Sequence, residues 1–194
     1  MTKFFLTLGL ICLGACTYNA QVVRLDPVLP KLSGDQTAPA KNVWLQTRDM
    51  RPSKEIGHRA AHPDATITTD PDAGVVLKAK MAQILQAKGL RAVDSEVPNS
   101  LSLAVDLTEL SYAVFTEAQT RKVKIRAILK IVAQKGPERL EKSFEASQER
   151  KIPFEPVARS NEEWINETFS DVLKEFASDE RLFLFLQGDG VSNP

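Results

Sequence analysis

The chain has 194 residues, 25 basic and 25 acidic side chains, 43% hydrophobic and 7% aromatic content. That is enough apolar material for one domain with its own core, and it excludes collagen-like, wholly disordered and multi-span membrane chains. A formal net charge of zero removes the bulk electrostatic case for nucleic acid, so no nucleic-acid partner is expected.

At the N-terminus, Lys3 supplies a short positive region and Phe4 to Cys12 an apolar run. The run is too short to span a bilayer comfortably and reads as a secretory signal. Leu13-Gly14-Ala15-Cys16 resembles the bacterial lipobox, which implies cleavage between Ala15 and Cys16 and acylation of Cys16. In such signals the thiol takes a diacylglycerol and the new amino terminus is acylated. Several chains hold a protein on a membrane where a single chain binds only marginally. Residues 1–15 are therefore expected to leave as a signal peptide, with the covalent lipid as the sole non-protein group and no cofactor. Thr17 follows the cysteine. Enteric-type sorting retains a lipoprotein in the inner membrane when Asp stands there, so the outer membrane, facing the periplasm, is the expected address.

Residues 16–42 read as the lipidated cysteine and a flexible tether, because Pro27, Pro30, Gly34 and Pro39 interrupt every apolar group. Extended, such a segment adds about 3.1 Å per residue. The alternative is that Val22 to Leu25 and Val28-Leu29 dock on the domain. A single domain is expected over 43–188, with a disordered tail at 189–194. It opens with a strand at Val43 to Thr47 that Pro52 ends, followed by a loop from Ser53 to Asp70 containing Gly57, Pro63 and a brief β-branched run, Thr66 to Thr69; the stretch from Asp49 to Ala65 is the candidate interaction loop. Asp70 reads as a helix N-cap, Pro71 as the first helical residue and Gly89 as the stop, with Leu77, Met81, Ile84 and Leu85 as the apolar stripe. Leu90 to Val93 follows as a short strand.

Leu101, Leu103, Val105 and Leu107 alternate strictly, then the phase slips to Leu110, Tyr112 and Val114, which predicts a β-bulge. Val123 to Ile131 alternate with basic residues, and Glu138 to Arg150 reads as an edge strand. With Lys135-Gly136 as a two-residue loop, Gln134 faces Pro137, Lys130 faces Glu141, Arg126 faces Glu145 and Lys122 faces Glu149. Lys124 is left without a carboxylate. Ser160 and Glu163 suggest a capping box for a helix carrying Ile165, Phe169, Val172, Leu173 and Phe176, and Asp179 caps a final short helix. The expected fold is an α+β two-layer sandwich, with a mostly antiparallel sheet and two main helices plus the short C-terminal one on one face.

In this order the chain resembles the YajG-type bacterial lipoproteins. The likeness rests on Asp49-Met50-Arg51-Pro52-Ser53, Ile56-Gly57-His58-Arg59, Ala65-Thr66-Ile67-Thr68, Ala87-Lys88-Gly89-Leu90 and the C-terminal helix pair, after the lipobox cysteine. The resemblance implies an outer-membrane-associated lipoprotein with no assigned activity.

Chemistry is scarce. His58 and His62 are four apart with Asp64 beyond, but Gly57 and Pro63 argue against a helix, and zinc needs at least three protein ligands; no metal site is expected. Asp49 with Arg51 and Arg59 reads as loop ion pairing, and Glu162 with Glu163 as charge at a helix N-terminus. No nucleophile elbow or phosphate-binding glycine loop is present, so no catalytic residue is assigned and no enzyme is expected. The expectation is a non-catalytic envelope interaction module with a protein partner, anchored to the bacterial membrane. Its candidate interaction loop carries Asp49, Arg51, Gly57 and Arg59, and its candidate interaction helix Phe183, Phe185 and Leu186; five apolar residues in a row from Leu182 to Leu186 cannot all face one core, so some of these three are expected to be exposed as a partner patch or, the preferred reading, to cover a sheet edge. The alternative is a carrier of envelope lipid or cell-wall fragments, with a site near Trp44, Tyr112 and Phe115.

Overall fold

The computed structural model describes residues 19–31, 41–59, 64–96 and 101–188. The signal peptide, Ala15, Cys16, His62 and the tail at 189–194 lie outside the described residues. In chain order the elements are β1 (Gln21–Arg24), β2 (Lys41–Asp49), β3 (Glu55–His58), β4 (Thr66–Asp70), α1 (Ala73–Ala87), β5 (Leu90–Val93), β6 (Leu101–Glu117), β7 (Thr120–Lys135), β8 (Glu138–Lys151), α2 (Ala158–Ser178) and α3 (Glu180–Gln187).

The long hairpins set the frame. β6, β7 and β8 run antiparallel, and the ladder between β6 and β7 breaks register between Leu107 and Glu109, where the apolar phase slips. The bulge lets one edge of β6 serve two partners. Its first half pairs with β2 in parallel, from Val43↔Leu101 to Asp49↔Leu107, and its second half meets β3 at Gly57↔Tyr112. β3 then pairs antiparallel with β4, β4 parallel with β1, and β5 lies parallel on the far side of β2. The sheet is thus mixed, correcting the mostly antiparallel expectation: the hairpins are antiparallel, while the strands that flank them return through α1 or from the N-terminal segment.

Inward-facing residues of β2, β6 and β7 form one continuous core with the apolar stripes of α1, α2 and α3. Leu77, Met81, Ile84 and Leu85 of α1 are buried, as are Ile165, Phe169, Val172, Leu173 and Phe176 of α2. Phe176 packs edge-on against both Phe144 of β8 and Phe183 of α3, with ring centroids 5.7 Å apart in each pair. Such pairs add about 0.5–1.5 kcal/mol each beyond the area they bury.

The N-terminal segment is not a free tether throughout. Gln21–Arg24 adds a strand, and beyond it the chain is held against α2. The N–H groups of Arg24, Asp26 and Val28 donate to Glu162, Asn166 and Ser170 at 2.9, 2.7 and 2.8 Å. Alternate residues of an extended chain match side chains one helical turn apart, so one face of α2 replaces a partner strand. Residues 32–40 are outside the described residues.

Other local expectations shift. Strand β2 starts at Lys41, not Val43, and the expected loop from Ser53 to Asp70 contains two strands, β3 and β4, which pair with each other and with β6 and β1. The Asp70–Pro71 peptide is cis and Asp70 belongs to β4; the cap of α1 is Asp72, whose carboxylate accepts from the Gly74 N–H at 2.9 Å. Helix α2 starts at Ala158 after Val157 with no side-chain cap, so Ser160 and Glu163 form no capping box; Glu163 instead accepts from Arg159 at 2.8 Å.

The β7–β8 loop is Gly136-Pro137 rather than Lys135-Gly136, with Gly136 at φ 57°. Pro137 lacks the N–H that pairing with Gln134 would use, so the turn moves on by one residue and Lys135 faces Glu138. The slip preserves faces but turns direct charge pairs into diagonal ones. Arg126 faces Ser147 yet holds Glu145 through two hydrogen bonds, at 2.7 and 2.8 Å, and also reaches Glu109 at 3.1 Å. Lys122 faces Lys151 and reaches Glu149 and Glu117, Lys130 faces Ser143, and Lys124 stands opposite Glu149 instead of lacking a carboxylate.

Candidate interaction surface

Asp49 and Arg51 form a bidentate pair at 2.8 and 2.7 Å, and the Arg51 side chain is only 3% exposed. Arg51 is an internal brace where β2 leaves the sheet, not a contact residue. Outside it, Lys54 pairs with Asp72 at 2.9 Å. The Lys54 hydrogen bond, then the Gly74 N–H, hold the Asp72 carboxyl below the usual range. Gly57 is pressed against β6: a Cβ there would lie 1.8 Å from the Tyr112 carbonyl oxygen. The Arg59 N–H donates to Ala65 and closes the β3–β4 turn, while its guanidinium approaches the Asn19 carbonyl at 3.5 Å. His58 approaches Glu55 at 3.2 Å, and among the described residues no three potential ligands cluster.

The candidate interaction helix also turns inward. Phe183 and Leu186 are buried and Phe185 is half-buried, leaving Leu184 as the exposed apolar residue of the helix. Asp179 caps the helix through the Leu182 N–H at 2.8 Å and pairs with Lys142 of β8. Burial alone would raise the Asp179 carboxyl, but the bonds from Lys142 and Leu182 outweigh it and hold its pKa down.

The three aromatics of the carrier reading do not share a site. Tyr112 is buried, whereas Trp44 alternates with buried Val43 and Leu45, and Phe115 follows the inward phase of Tyr112 and Val114; both therefore face outward, at opposite ends of β6. The Tyr112 hydroxyl donates to Asn161 at 2.7 Å, Asn161 donates to Gln21 at 3.0 Å, and Gln21 donates to the Ala158 carbonyl at 2.7 Å. This chain ties β6, α2 and β1 together. Burial, then the charge of Glu155, pushes the Tyr112 phenol up from its ordinary value. Sequence reasoning missed Gln21 and Asn161 because their partners lie about 140 positions apart.

Unpaired strand edges are the surfaces on which sheets acquire partners. The side-chain ladder of α2 closes the outer side of the N-terminal segment from Arg24 to Val28, and β1 itself is only four residues long. Among the described residues strand β8 is an edge over 14 residues, as expected, but its outward positions are mainly charged or hydroxylated, including Glu141, Ser143, Glu145 and Glu149. On the other flank, β5 follows β2 only as far as Trp44, and among the described residues no strand continues beside Leu45 to Arg48. A cavity of about 330 Å³ opens at this step, lined by Trp44, Leu45, Gln46, Thr47 and Arg48 and by Lys78 and Asp94, which pair at 2.7 Å.

A putative neuraminyllactose-binding hemagglutinin homolog from Helicobacter pylori is similar to 85% of this chain and 98% of its own, with 10% identity and a TM-score of 0.52, a likeness of fold alone. An uncharacterized protein of known structure matches over 89% of this chain and 99% of its own at 7% identity and a TM-score of 0.47. Lipoprotein GNA1162 from Neisseria meningitidis matches over 72% and 99% at 12% identity and a TM-score of 0.36. No curated protein matches the chain in sequence. The model of the YajG-type family, described as uncharacterized lipoprotein, matches residues 29–187, and the chain belongs to that family.

Proposed function

We propose that this lipoprotein is a non-catalytic accessory module of the bacterial envelope, held on the periplasmic face of the outer membrane through acylated Cys16. It acts by receiving an extended segment of another envelope protein on the open flank of β2. The observation that carries this reading is the step at Trp44, where β5 ends and β2 continues beside a cavity. A segment entering there gains main-chain hydrogen bonds from β2 and side-chain contacts with Trp44, the mode of recognition known as β-augmentation. The other long edge, β8, is charged along its outward side, which opposes such pairing. Thr17 and the family's description support the address and the anchor.

The test is photo-crosslinking in intact cells from Gln46 and Lys78 at the flank, with Ser143 on β8 as control and Cys16→Ala to remove the anchor. One discrete protein adduct at the flank, absent at Ser143 and lost with Cys16→Ala, is the expected result. Adducts spread equally over both edges, or none at the flank, would overturn the docking site.

A further inference from the structure

We infer that the end of the domain carrying the Ile152-to-Val157 loop lies in the membrane interface, with Phe154 and Val157 inserted among lipids beside the acylated cysteine. The inference rests on the reading that Cys16 is lipidated. Its independent content is the orientation of the domain.

The topology brings one set of termini together. Strand β1 runs parallel to β4, β4 starts opposite the end of β3, and β3 lies against the C-terminal half of β6. That end of β6 meets the start of β7 and the end of β8, from which the chain passes through Ile152 to Val157 into α2. Helix α2 starts directly against β1, since Gln21 donates to the Ala158 carbonyl at 2.7 Å. The start of β1 and the 152–157 loop are therefore neighbours.

Covalent geometry supplies the next step. Cys16 precedes Asn19 by three peptide units, so their Cα atoms lie within about 11 Å of each other in any conformation. Asn19 in turn receives the Arg59 guanidinium at its carbonyl, at 3.5 Å. A diacylglycerol on Cys16 has its glycerol at headgroup depth, so a reach of about 11 Å keeps the start of β1 close to the membrane surface.

The apolar side chains match that placement. Phe154 is 81% exposed, the most exposed large hydrophobic residue among those described, and Val157 is 64% exposed. Pro153 and Pro156 flank the loop and restrict its backbone. Most of the basic residues around it are paired, Arg121 with Glu155, Lys122 with Glu117 and Glu149, Arg150 with Glu167 and Arg159 with Glu163, and among the described residues there only Lys151 stands without a carboxylate. Insertion of apolar groups, rather than attraction to anionic lipid, is the basis of the contact. In this orientation the β7–β8 hairpin and α3 lie at the far end, and the open flank of β2 faces the periplasm.

The experiment uses the full acylated protein, purified from membranes and reconstituted into phosphatidylethanolamine–phosphatidylglycerol vesicles. Single cysteines at Phe154 or Val157, with Val75 and Leu184 as controls, carry nitroxide labels whose collisions with oxygen and with an aqueous nickel chelate are compared. A severalfold higher oxygen-to-nickel ratio at 154 and 157 than at 75 and 184 is expected, and Phe154→Ser should lower the ratio at 157. Equal ratios at all four sites overturn the inference, as does shielding of 154 from both reagents, which a second copy of the chain would produce. The mass of the N-terminal peptide is read separately. An acylated peptide with an aqueous 154 refutes the orientation alone, and an unacylated peptide refutes the anchor and the orientation with it.

Discussion

Gly57→Ala tests whether the meeting of β3 with β6 is as tight as the register implies. The new Cβ would stand 1.8 Å from the Tyr112 carbonyl oxygen and 2.8 Å from its carbon. Both are backbone atoms of a central strand, so no rotamer change relieves the clash. Gly57 also has φ 152°, which a residue with a Cβ adopts at a cost of roughly 1–3 kcal/mol. Displacing β3 adds a further 1–3 kcal/mol or so, as overpacking does elsewhere. Taking about 4 kcal/mol in all, a domain of this size should melt on the order of 10 °C lower. Gly136→Ala is the control, because Gly136 has positive φ but nothing within 4 Å of its would-be Cβ, leaving only a conformational cost of about 1 kcal/mol. The assay is thermal unfolding of the full chain in detergent, followed by circular dichroism. If the two variants melt within roughly 2 °C of each other, the steric argument is refuted.

Asn161→Ala leaves the Tyr112 hydroxyl and Gln21 without a shared partner and should cost about 2–4 kcal/mol in chemical denaturation; a loss below about 1 kcal/mol would show the network to be dispensable. Because the folded state raises the Tyr112 pKa, its contribution is complete below the ordinary tyrosine pKa of about 10 and is lost as pH rises above it; Tyr112→Phe should flatten that alkaline decline. Asp179→Ala removes the cap of α3 and strands Lys142, at about 1–2 kcal/mol. The Asp179 carboxyl is held low in the fold, so its contribution is present above the ordinary aspartate pKa of about 3.9 and fades below it, and the variant should match the parent more closely in strong acid than at neutral pH. Asn166→Ala breaks the bonds to Asp26 N–H and the Arg24 carbonyl, and hydrogen exchange at Asp26 should accelerate while the β6–β7 amides stay protected.

The parts legible in the sequence are those whose determinants are local and periodic. The stripes of α1 and α2 and the bulge in β6 follow from spacing alone, because burial on one face enforces the period. Strands β1 and β3 have four residues each; β1 forms only on distant partners, β4 and α2, and β3 is wedged between its sequence neighbour β4 and the distant β6. The hairpin register departs from the spacing of its glycine because Pro137 has no N–H to offer the ladder, which moves the loop on to Gly136-Pro137. Five apolar residues in a row exceed one helical face and leave open which of Phe183, Phe185 and Leu186 is exposed; α3 docks between α2 and β7 and covers more than one face, which buries Phe183 and Leu186. The open flank of β2 had no local signal, since it exists only where β5 stops short.

The side-chain ladder between residues 24–28 and α2 decides how the protein bears load from its anchor. With the proposed anchor at Cys16, tension between membrane and domain enters the fold at Gln21 and runs along β1 towards its N-terminus. The β1–β4 pairs and the bonds to Glu162, Asn166 and Ser170 lie across that direction. They are therefore sheared together, not peeled one at a time, and the first element behind the lipid is a mechanical clamp rather than a point of unzipping.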